Sequence, residues 1–158
     1  DYTTASKIAV TNALVYNNLG SALRKNEKYQ DAILNYGLAI KMDNANPFYY
    51  NNRGTAYYEN KEYDKAIDDF KKAVSLKPDY AFAYNNLGAV YMKKGEFDSA
   101  IKNFEKAVQI NPGYNQAWAN LGSAKEMKRD IDGAVQAWEK AVAAGAKDAQ
   151  SFINYYKR

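Results

Sequence analysis

AFAYNNLGAVYMKKGEFDSAIKNFEKAVQINPGY, residues 81–114, decides how the whole chain is read. Slid back until Ala81 meets Pro47, it falls without a gap on PFYYNNRGTAYYENKEYDKAIDDFKKAVSLKPDY (47–80). Slid forward by the same step, it falls on NQAWANLGSAKEMKRDIDGAVQAWEKAVAAGAKD (115–148), and a further copy occupies 13–46. Gly20, Gly54, Gly88 and Gly122 keep the period without an insertion. Ala32, Ala66, Ala100 and Ala134 do the same, as do Ala39, Ala73, Ala107 and Ala141. A fixed period of this length implies a solenoid: each unit is too small to bury its own apolar face and must stack on its neighbours.

Each copy reads as two antiparallel helices. In residues 81–114 the first spans about 81–94 and the second about 98–110. Gly95 takes the C-terminal position that favours glycine, and Asp98 is placed to cap the second helix. Pro112 cannot continue that helix and turns Asn111 away from the helical region; Pro78 does the same one copy earlier. Asn44 stands there in the first full copy, and Pro47 instead opens the next helix, where its missing N–H costs least. Tyr84, Gly88 and Tyr91 share one side of the first helix, and Ala100, Phe104 and Ala107 line the second. Gly88 against Ala100 would let the two approach closely. The glycines, the alanines, Trp118 and Trp138 are read as packing residues.

The ends depart from the pattern. Residues 1–12 resemble the tail of a preceding helix, with Tyr2, Ala5 and Ile8 one period before Tyr36, Ala39 and Met42. With no initiating Met, the chain is expected to be a processed or excised fragment of a larger protein. Residues 149–158 begin a fifth copy after Gly145, but Tyr156 replaces the recurring glycine, which suits a capping helix.

Composition removes several functions. The chain has no Cys and no His, so thiol chemistry, disulfides and the commonest general base and metal ligand are missing. No apolar run approaches the roughly 18 residues of a membrane span. The net charge of +4 is spread thinly, no copy exceeding +1; a nucleic-acid binder would gather its cations on one face. Asp68 and Asp69 are adjacent, project about 100° apart on a helix and belong to a solvated face. Asp130, Asp132 and Gly133 hint at a calcium loop whose other ligand positions are absent. The glycines follow the repeat, not a phosphate-binding spacing. No catalytic residue, cofactor or metal is expected, and membrane insertion and nucleic acid are excluded as partners. The compartment is left open, a soluble cytoplasmic protein being favoured.

Tyr84, Leu87, Gly88, Tyr91, Ala100, Phe104, Ala107 and Pro112 match the spacing W-x2-L-G-x2-Y…A-x3-F…P. By these residues the chain resembles the tetratricopeptide repeat (TPR) family. The resemblance implies an all-α, right-handed superhelix of antiparallel helix pairs. Its repeats are 13–46, 47–80, 81–114 and 115–148, flanked by 1–12 and 149–158.

Function is then expected on the surface that stacking leaves free. Helical periodicity puts Phe82, Asn85, Asn86, Ala89, Met92 and Lys93 on one outer arc of the first helix. Stacked arcs would form a concave groove. Two rows stand out on it. One is amide: Asn18, Asn52, Asn86 and Asn120, with Asn17, Asn51 and Asn85 beside them. A primary amide both donates and accepts, so it can pair with an extended peptide backbone. With first helices roughly 10 Å apart and a strand rise of about 3.3 Å, each rung would meet every third peptide residue. This row resembles the asparagine ladder in the TPR domain of O-linked N-acetylglucosamine transferase. The other row is apolar: Leu14, Phe48 and Phe82, joined by Tyr58 and Met92, and exposed apolar patches mark partner sites. The carboxylate clamp of TPR cochaperones needs Lys at Asn17 and Lys and Arg at Phe82 and Asn86, so chaperone-tail capture is disfavoured. The expected function is a non-catalytic scaffold binding a peptide or protein segment in the groove. The alternatives are an assembly module that self-associates and a substrate-targeting domain of a larger enzyme.

Overall fold

The computed structural model describes residues 2–157, with side chains from residue 12 onward. The helices are α1 (Tyr2–Lys25), α2 (Tyr29–Met42), α3 (Pro47–Glu59), α4 (Tyr63–Leu76), α5 (Ala81–Lys94), α6 (Phe97–Ile110), α7 (Asn115–Met127), α8 (Ile131–Ala143) and α9 (Ala149–Tyr156). No strand occurs among the described residues. The helices divide between two compact units, Asp1–Pro78 and Asp79–Arg158. In the first, α1 packs on α2 and α3 on α4; in the second, α5 packs on α6, α7 on α8, and α9 on α8.

One turn geometry closes the first helix of every pair. Glu27, Lys61, Gly95 and Arg129, each one period after the last, have φ of 59°, 63°, 75° and 63°. The following amide then reaches back to a carbonyl in the last turn of the helix: Lys28 to Leu23, Glu62 to Tyr57, Glu96 to Tyr91 and Asp130 to Lys125, at 2.9–3.0 Å. This satisfies helix-end carbonyls that would otherwise be orphaned. Of these four, Gly95 alone adopts the left-handed region without a Cβ penalty.

The exits repeat as well. Asp43, Lys77 and Asn111 leave α2, α4 and α6 with φ between −129° and −142° and ψ near 90°. Proline follows the last two but not Asp43, so proline reinforces this exit without being required for it. Pro47 occupies the first turn of α3, and the Asn46 side chain accepts from Phe48 N at 3.0 Å. Asp98 corrects the expected cap. The residue before α6 is Glu96, with no side-chain cap bond, and Asp98 sits inside the first turn, where its charge still favours the helix dipole. Asp130 is the residue that caps: its Oδ1 accepts from Gly133 N at 3.0 Å at the start of α8. The calcium-like string is therefore a helix start.

The pairing of Gly88 with Ala100 is also corrected. Each recurring glycine lies under an aromatic ring from the second helix of its own pair: Gly20 under Tyr36, Gly54 under Phe70, Gly88 under Phe104 and Gly122 under Trp138. The rings are fully buried. A flat ring lies across the bare backbone, and the alanines close in around it.

At the beginning, α1 passes through residue 12 without a break, since residues 2–12 hold neither Gly nor Pro. The side chains of Tyr2, Ala5 and Ile8, which carry the register with a preceding helix, lie outside the described residues. At the end, Ala149 and Ile153 of α9 are buried beside Trp138 and Ala141. Phe152 and Tyr156 stack on Trp138 with ring centroids 5.0 and 6.0 Å away. Tyr156, at the glycine position, thus adds a ring to the last pair.

Candidate functional site

The first helices of each unit carry the two rows, and the amide row is partly consumed by the fold. In the first unit Asn52 Nδ2 donates to Asn17 Oδ1 at 2.8 Å, joining α3 to α1. In the second, Asn120 Nδ2 donates to Asn85 Oδ1 at 2.9 Å, joining α7 to α5 in the same register. Asn120 Oδ1 also accepts from Gln116 Nε2 at 3.0 Å, and Asn17 reaches Asn18 Oδ1 only at 3.5 Å. Asn51 and Asn85 are buried, Asn85 at 6% exposure. Placing them on an open arc is corrected here. A single helix's periodicity contains no information about where the neighbouring first helix crosses. Asn18 is exposed, while Asn17, Asn52, Asn86 and Asn120 are half-buried.

The apolar row divides too. Leu14, Phe48 and Phe82 are exposed, by 50%, 48% and 53%. Phe82 stands against Tyr114 with centroids 4.9 Å apart, and Tyr80 meets it edge-on at 6.4 Å. Burial pushes the phenols of Tyr80 and Tyr114 above their usual range. Tyr58 is half-buried, 5.9 Å from Tyr63. Met92 and Ala89 pack on the core around Phe104 and Leu121, so they belong to the interior as much as to the face.

Asp69 also departs from the sequence expectation. It is buried, and Arg53 forks onto it, Nε to Oδ2 and Nη2 to Oδ1, both at 2.7 Å. The Arg53 guanidinium lies 5.9 Å from the Tyr50 ring and 5.8 Å from the Tyr57 ring. Hydrogen bonding to Asp69 raises the Arg53 pKa. Burial raises the Asp69 carboxyl above its ordinary value, with Arg53 opposing. The pair is not legible in the sequence because Arg53 stands on α3 and Asp69 on α4, with a turn between them. Among the described residues, no group of three or more His, Cys, Asp or Glu could hold a metal, and no helix is long and apolar enough to cross a membrane.

TPR repeat signatures match residues 20–61 and 54–95, and a tetratricopeptide repeat signature matches 81–114. The chain belongs to the tetratricopeptide repeat family. Among solved TPR structures, the crystal structure of MamA is 32% identical, over 94% of this chain and 87% of that one, with a TM-score of 0.80. The first TPR of Spaghetti (RPAP3), bound to the HSP90 peptide SRMEEVD, is 29% identical over 74% of this chain and 93% of its own, with a TM-score of 0.72. The second TPR domain of human RPAP3, in complex with the HSP70 peptide SGPTIEEVD, is 28% identical over 76% and 98%, with a TM-score of 0.69. No curated protein matches the chain. TPR domains are in general non-catalytic protein-interaction modules.

Proposed function

We propose that this TPR chain is a non-catalytic scaffold whose first helices hold an extended peptide segment, amides on its backbone and exposed rings on its side chains. The observation that carries this reading is the matched bond of Asn52 to Asn17 and of Asn120 to Asn85. A primary amide has two N–H groups and two carbonyl lone pairs. The inter-helix bond uses one N–H and fixes the plane of the amide, so the remaining groups meet a ligand already oriented. Phe48 and Phe82 lie within the first turns of α3 and α5, one period apart. RPAP3 domains with this fold bind acidic chaperone peptides, but Asn17, Phe82 and Asn86 stand here where that clamp needs cations.

A peptide-display library selected on the intact chain tests the proposal. Selected peptides are expected to lose about tenfold in affinity on Asn52→Ala with Asn86→Ala, with helicity retained, and SRMEEVD is expected not to bind. Equal affinity for the double variant would refute the amide ladder.

A second reading, self-association, rests on a different face of the first unit. Val15 and Leu19 are 58% and 46% exposed, whereas the same positions three copies on, Ala117 and Leu121, are buried beside Ala107 and Val108 of the preceding second helix. Leu34 and Leu38, also exposed, stand where the later copies carry Asp68, Lys102 and Gln136, and Lys72, Lys106 and Lys140. An amphipathic helix of a second copy fits this surface. Light scattering should then show a mass that rises with concentration and falls back for Leu34→Lys with Leu38→Lys; a constant monomer mass removes the reading.

A further inference from the structure

Helices α6, α7 and α8 of the second unit border an open cavity of about 320 Å³. Its floor is Val108, Leu121 and Ala137, all buried. Trp118, Lys125 and Lys140 line it from above, and Glu105, Gln109 and Gln136 complete its polar lining. The volume is at the lower end of the range for small ligand pockets.

The equivalent place in the first unit is filled. Two periods back, Trp118, Leu121, Lys125, Gly133 and Ala137 correspond to Tyr50, Arg53, Tyr57, Lys65 and Asp69. There the Arg53 guanidinium lies near two tyrosine rings and forks onto buried Asp69, while Lys65 Nζ lies 5.5 Å from the Tyr57 ring. In the second unit three long or charged side chains have become Leu121, Ala137 and Gly133. Their shortening opens the space; Trp118 keeps the ring of Tyr50, and Lys125 replaces that of Tyr57.

The charges left behind select the guest. Lys140 Nζ sits 4.6 Å from the Trp118 ring centroid, and among the described residues no carboxylate lies within ion-pair distance of it. Lys125 Nζ reaches Glu105 and Asp130 only at 3.8 and 3.7 Å, too long for good hydrogen bonds. A cationic guest would find Ala137 where Arg53 finds Asp69. An anionic guest meets two ammonium groups against the single carboxylate of Glu105, and Lys140 has no ion-pair partner of its own among the described residues, above an apolar floor. Hydrogen bonds between ionised groups are about twice as strong as neutral ones.

We propose that this cavity is a second partner site, lined by residues other than the amide and apolar rows, which takes an acidic side chain flanked by apolar residues from a protein partner. The carboxylate pairs with Lys140 and Lys125, and the neighbouring aliphatic groups lie on Leu121, Val108 and the Trp118 ring.

The test titrates the full chain with three capped tripeptides, Leu–Glu–Leu, Leu–Gln–Leu and Leu–Lys–Leu, to about 5 mM. Binding is followed by amide and indole shifts of the ¹⁵N-labelled protein. Saturable shifts at Trp118 and Lys140 are expected for the Glu peptide, with roughly fivefold weaker binding of the Gln peptide and none of the Lys peptide. Lys140→Ala, an exposed position, should weaken the Glu peptide about tenfold. Leu121→Arg with Ala137→Asp, which rebuilds the plug of the first unit, should abolish binding. No saturable shift, equal binding of the three peptides, or unchanged affinity in Lys140→Ala overturns the proposal. The lysine variant keeps the test decisive if the rebuilt plug does not fold.

Discussion

Gly88 lies beneath the ring of Phe104 so closely that a Cβ on Gly88 would stand 2.7 Å from Cε1. Two effects oppose each other in Gly88→Ala. Alanine gains up to about 1 kcal/mol of helix propensity, while forcing a methyl into a packed core costs about 1–3 kcal/mol. The ring is fully buried and has no free direction, so the steric cost wins. We expect a net loss of about 1–2 kcal/mol in urea unfolding, partly recovered by adding Phe104→Leu. A stabilised Gly88→Ala would show that the ring can move.

The left-handed turns predict the opposite sign. Glu27, Lys61 and Arg129 hold positive φ with a Cβ present. Lys61→Gly should stabilise the chain by up to about 1 kcal/mol, despite the larger entropy of glycine in the unfolded state. Gly95→Ala should destabilise by about 1 kcal/mol. Thermal melts of the two variants moving in the same direction would contradict this.

Arg53 and Asp69 give a prediction with a pH signature. Arg53→Ala leaves a buried carboxylate without its partner and should cost about 3 kcal/mol near neutral pH. Burial already raises the Asp69 pKa, and without Arg53 nothing of that strength opposes it. A carboxyl whose folded pKa is raised binds more protons folded than unfolded, so stability falls as pH rises from its ordinary value through its raised one. The defect of Arg53→Ala should therefore shrink as pH is lowered towards about 4, and Asp69→Asn should remove most of that pH dependence. Urea unfolding at several pH values checks both.

The amide bonds between first helices should be measurable one at a time. Asn85→Ala removes the acceptor of Asn120 at a buried site and should cost about 1–2 kcal/mol. Asn18→Ala, at an exposed position, should cost less than about 0.5 kcal/mol. A double-mutant cycle of Asn85 and Asn120 should return a coupling of about 1 kcal/mol, and zero coupling would show that the bond is not maintained in solution.

The architecture was legible because the constraint behind it is local and repeated. Gly95, Pro47, Pro78 and Pro112 set helix ends through their own φ and ring geometry, and the structure places the ends of α3, α4, α5 and α6 close to where those residues put them. The candidate site was legible in part. Leu14, Phe48 and Phe82 are exposed as their positions implied, because helical periodicity alone turns them away from the partner helix. Asn51, Asn85 and Asp69 are buried against expectation; Asn85 meets α7 and Asp69 meets α3, at crossings the local pattern does not encode.

The sequence by itself determined the repeat period, the helix pairs and the absence of Cys and His, since each follows from residue identity and spacing. Only the tertiary structure decided which ring covers Gly88, which amides are already bonded, and that Arg53 and Asp69 fill in the first unit the place that stays open beside Trp118 in the second. Gly88 is once more the clearest case. Its spacing announces that something must come close, and the identity of the neighbour, Phe104 in place of Ala100, depends on how two helices are rotated against each other. That rotation is set by the whole set of contacts between α5 and α6, and no single residue carries it.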